Sequence, residues 1–318
     1  SYSFFLARHN RDSFDHNGTF LEANVHFVPT LENPPWENAA WWNVSKHLYF
    51  GSQYACHDIV GHEYAHAVTD SDVILVYANE SGAIEESLAD MWGEFIDWTI
   101  NPTDVDTSAH RWLIGEDCAT GAVRNMKSPP VIVDWAGNLH PDRMSKYVPG
   151  GDVHTNSGIG NKLVYLLTEG GTFNGWTVLG MGMDSVERLY YAVVVGQYVG
   201  FTSGYYDLYF ALRQAAAQAG WTSAQLGNLY RACKAVEIAS GEKDVYVDGS
   251  SQCGIPNGDE SCGGLSGGPF RKVQEGLSSA WPGDRLLIRA GSYPEKVSFD
   301  KILEVRALGG SVSIGQIP

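Results

Sequence analysis

Positive charge is scarce in this chain. Of its 318 residues, 21 are Lys or Arg against 37 Asp or Glu, so the formal net charge is −16. No block of basic residues stands out, which removes the electrostatic footprint of a nucleic-acid binder. Apolar runs are also short: none approaches the roughly 20 residues needed to cross a bilayer, and no membrane span is expected. Cysteine is sparse, at five residues. None lies in a CxxC pair, which argues against a cysteine zinc site or a dithiol redox motif. Cys253 and Cys262 enclose a short Gly/Pro/Asn loop and are expected to pair, as suits an oxidising compartment. Cys56, Cys118 and Cys233 then leave at least one free thiol or an unseen partner. The chain starts at Ser1 without Met, signal or pro-segment, so a fragment or processed form is expected, a start that says nothing of destination; the composition agrees with a secreted protein.

Apolar residues are plentiful. A hydrophobic fraction of 44% and an aromatic fraction of 12% are ample for a large core, and two domains are natural at this length.

The densest chemistry lies in Gly61-His62-Glu63-Tyr64-Ala65-His66-Ala67-Val68-Thr69 and in Asn79-Glu80-Ser81-Gly82-Ala83-Ile84-Glu85-Glu86-Ser87-Leu88-Ala89-Asp90. On a helix, His62 and His66 share a face, where their imidazoles can hold one metal ion. Glu63, one residue round, can reach a metal-bound water without ligating the ion. Glu86, from a second helix packed on the first, supplies a third ligand. Two His and one carboxylate leave a position open, the catalytic rather than the structural zinc pattern. Asp90 lies four residues after Glu86 and can accept a ring N–H from a ligating His, which fixes its tautomer. Ala83, Ile84, Leu88, Ala89, Met91 and Trp92 surround these acids, so this helix is expected to be buried.

With these motifs the chain resembles the thermolysin-like zinc metallopeptidases over most of residues 4–240. Arg11-Asp12-Ser13-Phe14-Asp15-His16-Asn17-Gly18 is similar to the family's stretch before a strand, and Val25-His26-Phe27 to that strand. Asn38-Ala39 before Trp41-Trp42 resembles the family's edge segment, and Gly151-Asp152-Val153-His154-Thr155-Asn156-Ser157-Gly158-Ile159 its loop carrying a catalytic His. The resemblance implies a two-lobed α+β fold, with a truncated β-rich lobe, a helical lobe and zinc in the cleft. It implies a zinc endopeptidase in which Glu63 is general base and then acid, and His154 and Tyr77 stabilise the oxyanion. Arg124 would bind a substrate carbonyl, while Asn38 and Ala39 grip the substrate backbone as an added strand. Ile59, Ile114 and Val123 would line an apolar pocket for the residue after the cleaved bond. Asp58, Asp97 and Glu116 match positions that bind calcium. Arg111 and Leu113 stand where double-calcium members carry acids, so one calcium is expected. A further departure concerns His154: Pro149 stands where the family has the acid that orients it, so either Asp152, closer in sequence, substitutes or His154 is held more loosely. The implied partner is a peptide or protein, and a monomer is expected.

Apolar spacing predicts helices over Asn156–Glu169, Asp184–Val199, Leu208–Ala217 and Ser223–Val236, with loops over 101–135. Composition changes near Gly241, which divides the chain into a catalytic domain, 1–241, and an all-β tail, 242–318. Phe270, Val273 and Leu277 fall on one face of a short helix. The tail opens with Val245-Tyr246-Val247-Asp248-Gly249 and a Gly/Ser/Pro/Cys loop, and short strands are expected at Leu286–Ile288, Val297–Phe299, Leu303–Ala307 and Val312–Ile314. That order resembles the first coil of a pectate-lyase-like parallel β-helix, with a small β-sandwich as the alternative. A polysaccharide or cell-surface ligand is the expectation for the tail. An inactive peptidase fold acting only in binding is the competing reading, against which the intact Glu63 stands.

Overall fold

The computed structural model describes residues 1–100, 110–239, 244–251, 268–301 and 303–315. The Cys253–Cys262 pairing and the expected boundary near residue 241 lie outside them. Two compact units are present, one of residues 1–219 with 232–238 and one of 220–231 with 239–318.

The first unit opens with α1 (Tyr2–His9), which ends at Asn10 in the left-handed conformation, φ 52°. Strands β1 (Glu22–Val25), β2 (Ala39–Trp42) and β3 (His47–Phe50) follow. Their order is β1-β3-β2, with β1 parallel and β2 antiparallel to the central β3, so β2 is an edge. The strand expected at Val25-His26-Phe27 instead ends at Val25, because His26 turns to φ 54° and breaks the extended run.

Helix α2 (His57–Asp72) carries the HExxH segment and α3 (Asn79–Ile100) the second acidic segment. Eleven residues of α2 are buried. On α3, Ala83, Ile84, Met91 and Trp92 are fully enclosed and Leu88 and Ala89 nearly so, as the surrounding apolar residues predict. The two axes approach closely at paired glycines. A Cβ on Gly93 would lie 2.6 Å from the Asp58 carbonyl oxygen, and one on Gly61 would lie 2.9 Å from the Gly93 Cα. Only a residue without a side chain fits either place, and this contact sets the two acidic and imidazole-bearing faces against each other.

The expected loop after α3 contains a small hairpin, β4 (Leu113–Ile114) and β5 (Arg124–Asn125), which turns over Gly115 and Gly121. Cys56, at the start of α2, is bonded to Cys118 in that hairpin's turn, across 62 residues, and Cys233 is a buried free thiol.

Helix α4 (Val153–Asn156) is capped by Asp152, whose side chain accepts from the His154 and Thr155 N–H groups. Then come α5 (Gly158–Glu169), the hairpin β6 (Gly170–Phe173) and β7 (Trp176–Leu179), α6 (Met183–Val195), α7 (Tyr205–Gln218) and α8 (Ser223–Ala235). Two of these fall short of their apolar patterns by two residues or more. The first begins at Gly158 because α4 occupies the preceding residues, and α6 stops at Gly196, before the apolar Val199.

In the second unit, β8 (Asp244–Val247) precedes α9 (Val273–Ser279), β9 (Arg285–Tyr293) and β10 (Glu304–Ile314). All pairing is parallel, β8 to β9 and β9 to β10. Val245, Val247, Val273, Leu277, Leu286, Ile288 and Tyr293 form its core, with Phe270 packed against it. Two expected strands merge: Leu303–Ala307 and Val312–Ile314 belong to β10, with a register shift between Leu308 and Val312. No strand forms at Val297–Phe299. Parallel neighbours need a crossover rather than a hairpin, and that segment lies in the crossover from β9 to β10. Among the described residues the three strands close no barrel or solenoid turn.

Candidate active site

The exposed edge β2, helix α2 and the loop bearing Tyr77 wall a cleft of about 1160 Å³, completed by Arg124, His140 and the segment from Ile132 to His154. At its floor, His62, His66 and Glu86 bring one ligand atom each within 4.8 Å of the others. The His62 and His66 Nε2 atoms are 3.1 Å apart. They lie 3.4 and 3.5 Å from the two Glu86 carboxylate oxygens. Helical spacing stacks the two imidazoles, and the glycine contact between α2 and α3 presents Glu86 to them.

Each imidazole is held from behind. His62 Nδ1 is 2.9 Å from Asp90 Oδ1, and His66 Nδ1 is 3.2 Å from Glu85 Oε1. With Nδ1 donating to a carboxylate, Nε2 keeps its lone pair for a metal. Burial would lower the His62 pKa, but the Asp90 and Glu86 carboxylates beside it outweigh that and lift it to about 10, a proton on Nε2 that a bound cation would displace. His66 moves the same way, against burial and through Glu85. Glu86 Oε2 is buried with no hydrogen bond among the described residues. Burial raises its carboxyl, while His154, His62 and His66 hold it well below the ordinary carboxylate range. Converging imidazole nitrogens and an unsatisfied buried carboxylate oxygen fit a divalent cation of the zinc type.

Asp90 takes four bonds. Besides His62 it accepts from Arg124 Nε at 2.7 Å and Nη2 at 2.6 Å, and from Asn161 Nδ2 at 2.8 Å. Arg124 therefore stands at the cleft wall in a two-pronged pair with Asp90.

Glu63 turns toward the edge strand, and its Oε2 accepts the Trp41 backbone N–H at 2.6 Å. The Trp41 indole donates to Asp70 Oδ2 at 2.7 Å, which ties β2 to the end of α2. Asn38 is exposed and its Oδ1 accepts the Ala39 N–H; both line the cleft. Tyr77 donates to Glu86 Oε1, and its oxygen is 3.2 Å from His154 Nε2. Burial and the charges of Glu86, Glu85 and Glu63 push its pKa up, so Tyr77 keeps its proton. His154 Nδ1 is 3.1 Å from Asp152 Oδ1. Asp152, rather than Pro149, is thus the residue whose side chain meets the His154 ring.

Ile59 and Val123 line the cleft. Ile114 does not: it is fully buried and pairs with Arg124 across the small hairpin. The expected calcium residues are near one another without forming a compact cluster. Asp58 accepts from the Ile59 and Gly115 N–H groups, and Asp97 lies 3.4 Å from His57 Nδ1. Glu116 has a buried oxygen with no hydrogen bond among the described residues. Burial, then the Asp58 charge, push its carboxyl up to about 8.

Four contributors escape sequence reasoning. Glu85 and Asn161 act through packing between helices, the Trp41 N–H is a backbone group without a residue signature, and Asp70 bonds an indole 29 residues away. Only Glu85 leaves a faint trace, as an acid one place before the ligand.

Two imidazoles and a carboxylate from packed helices, with a further carboxylate one residue round, make this a candidate metallohydrolase centre. Models of the thermolysin metallopeptidase catalytic domain and of its alpha-helical domain match residues 1–70 and 74–238. The chain belongs to the thermolysin metallopeptidase family. It is 40% identical over 220 residues to a zinc metalloproteinase of Renibacterium salmoninarum, covering 65% of this chain and 39% of that protein. It is 35% identical over 254 residues to the thermolysin of Alicyclobacillus acidocaldarius subsp. acidocaldarius, covering 74% and 43%. The chain thus spans about two fifths of these relatives' length. Among solved structures, the precursor of protealysin, a metalloproteinase from Serratia proteamaculans, superposes with a TM-score of 0.60 at 25% identity over 75% of each chain.

Proposed function

We propose that this chain is the catalytic part of a secreted zinc-dependent endopeptidase. The observation that carries the reading is the convergence of His62, His66 and Glu86 beneath Glu63, whose carboxylate is already anchored at the cleft edge. Zinc bound there would supply Lewis acidity and lower the pKa of a bound water. Glu63 takes the proton of the attacking water and passes it to the leaving amine. Tyr77 and His154, side by side at the rim, donate to the developing oxyanion, and Asp152 keeps the His154 ring oriented for that. The free edge of β2 pairs with the substrate backbone, with Asn38 and Ala39 at its start. Arg124, held by Asp90, supports both the His62 ligand and a substrate carbonyl. Ile59 and Val123 offer an apolar pocket, which favours a hydrophobic residue after the cleaved bond.

One calcium held by Asp58, Asp97 and Glu116 is part of this reading, supported by the orphaned, charge-repelled Glu116 oxygen. Secretion is supported by the Cys56–Cys118 disulfide. The parallel β8-β9-β10 stack supports reading 242–318 as the opening of a β-helix that targets the enzyme to polysaccharide. Retention on insoluble polysaccharide checks that role.

Casein hydrolysis by the purified chain, with chelator, with restored zinc and in Glu63→Gln, tests the activity. The expected outcome is zinc-restored cleavage that Glu63→Gln abolishes while still binding zinc. Zinc binding without hydrolysis by the wild type would favour a binding protein with an inactive peptidase fold.

A further inference from the structure

Trp135 stands at the cleft wall with its side chain almost wholly in solvent: it is 92% exposed. A Trp so placed leaves a large apolar surface uncovered. Its loop is not slack. The Asp134 N–H donates to Asn138 O and the Gly137 N–H to Asp134 O, both at 2.9 Å, and Val133 bridges Leu139. Gly137 closes the turn at φ 83°, where a side chain is strained. The hairpin is also pinned to the helix that carries His154, since Thr155 Oγ1 donates to Asp134 Oδ2 at 2.7 Å. A braced loop that holds an indole outward beside the proposed oxyanion donors gives that indole a fixed position largely uncovered by the described residues.

The geometry points to Trp135 as a specificity-determining residue that packs against an aliphatic or aromatic side chain of the peptide substrate. This rests on the peptidase reading of the cleft. The side chain it takes is distinct from the one following the cleaved bond, for which Ile59 and Val123 on other elements form the pocket. Apolar rather than basic chemistry follows from the hairpin's composition. Ile132 and Val133 join Trp135 on the cleft wall. The hairpin's one acid, Asp134, has each carboxylate oxygen already accepting two hydrogen bonds, from Ala136 N and Asn138 N and from Asn138 Nδ2 and Thr155 Oγ1. Those four donors tie the carboxylate into the turn and the neighbouring helix, which leaves apolar side chains as the larger part of the hairpin's cleft-facing surface. Burying part of one aromatic face is worth about a tenfold gain in affinity.

The test compares zinc-loaded wild type, Trp135→Ala and Trp135→Phe on peptides of about eight residues in which each position in turn is Leu, Phe, Lys or Gly. Wild type should prefer Leu or Phe at one position other than that after the cleaved bond. Trp135→Ala should lose that preference through an approximately tenfold drop in kcat/KM carried mainly by KM, and Trp135→Phe should keep most of it. A dipeptide-length substrate lacking that position should be cleaved equally by all three. An unchanged profile in Trp135→Ala, or an equal loss on every substrate including the short one, would overturn the assignment. Calorimetric binding of the same peptides to zinc-loaded Glu63→Gln, with and without Trp135→Ala, separates this inference from the activity on which it rests. Trp135-dependent binding by a wild type that cleaves nothing would sink the peptidase reading alone. Cleavage with Trp135-independent binding would sink this one alone.

Discussion

Glu85 makes one bond that matters to the metal centre, to the ring nitrogen of His66 that faces away from the cleft. An anionic acceptor there strengthens the imidazole as a donor more than a neutral one would. Glu85→Gln keeps an acceptor oxygen in place and removes only the charge. Zinc affinity should fall about tenfold in a competition with a chromophoric chelator, with the fold intact by circular dichroism. Unchanged affinity would mean that the bond merely orients the ring. At this scale the sequence is a good guide wherever a relation stays inside one helix. His62, Glu63 and His66 follow from helical spacing, and so does the placing of Asp90 one turn beyond Glu86. It is silent about Trp41, whose contribution is a peptide N–H, and it misplaces Ile114, whose apolar side chain points into the core rather than the cleft.

At the level of elements, the glycine contact of α2 with α3 is what converts two local patterns into one site. A methyl group on Gly93 would press on the backbone of Asp58, and helix backbones yield little. Gly93→Ala should therefore cost about 1–3 kcal/mol of stability, seen as a lowered urea midpoint. Zinc affinity should drop as well, because Glu86 moves away from the two imidazoles. A neutral effect on both would show that the helices can slide apart freely. Helices with strong apolar periodicity were legible along their length but less so at their ends, since neighbouring turns compete for the boundary residues, as α4 does before Gly158. The tail shows the opposite limit. Alternation at Val297–Phe299 suggests a strand, yet a strand needs a partner, and parallel topology assigns that stretch to the connection instead.

For the whole molecule, the long-range ties were the least visible. Cys56 meets Cys118 across 62 residues, a pairing set by where α2 and the small hairpin come together, and no spacing rule anticipates it. The acids near that junction carry the calcium reading. Added calcium should raise the thermal midpoint of wild type by several degrees and leave Asp58→Asn unmoved, read by calorimetry at constant zinc. An equal shift in both proteins would remove Asp58 from the site.

The anchoring of Glu63 by a peptide N–H has a consequence for how this centre can change over generations. Changes at the strand's other positions leave both that N–H and the Trp41 tie to Asp70 in place, so drift along the strand can reshape what the cleft accepts without releasing the carboxylate. Recognition and chemistry are in this way separately heritable, although the same four residues of strand serve both.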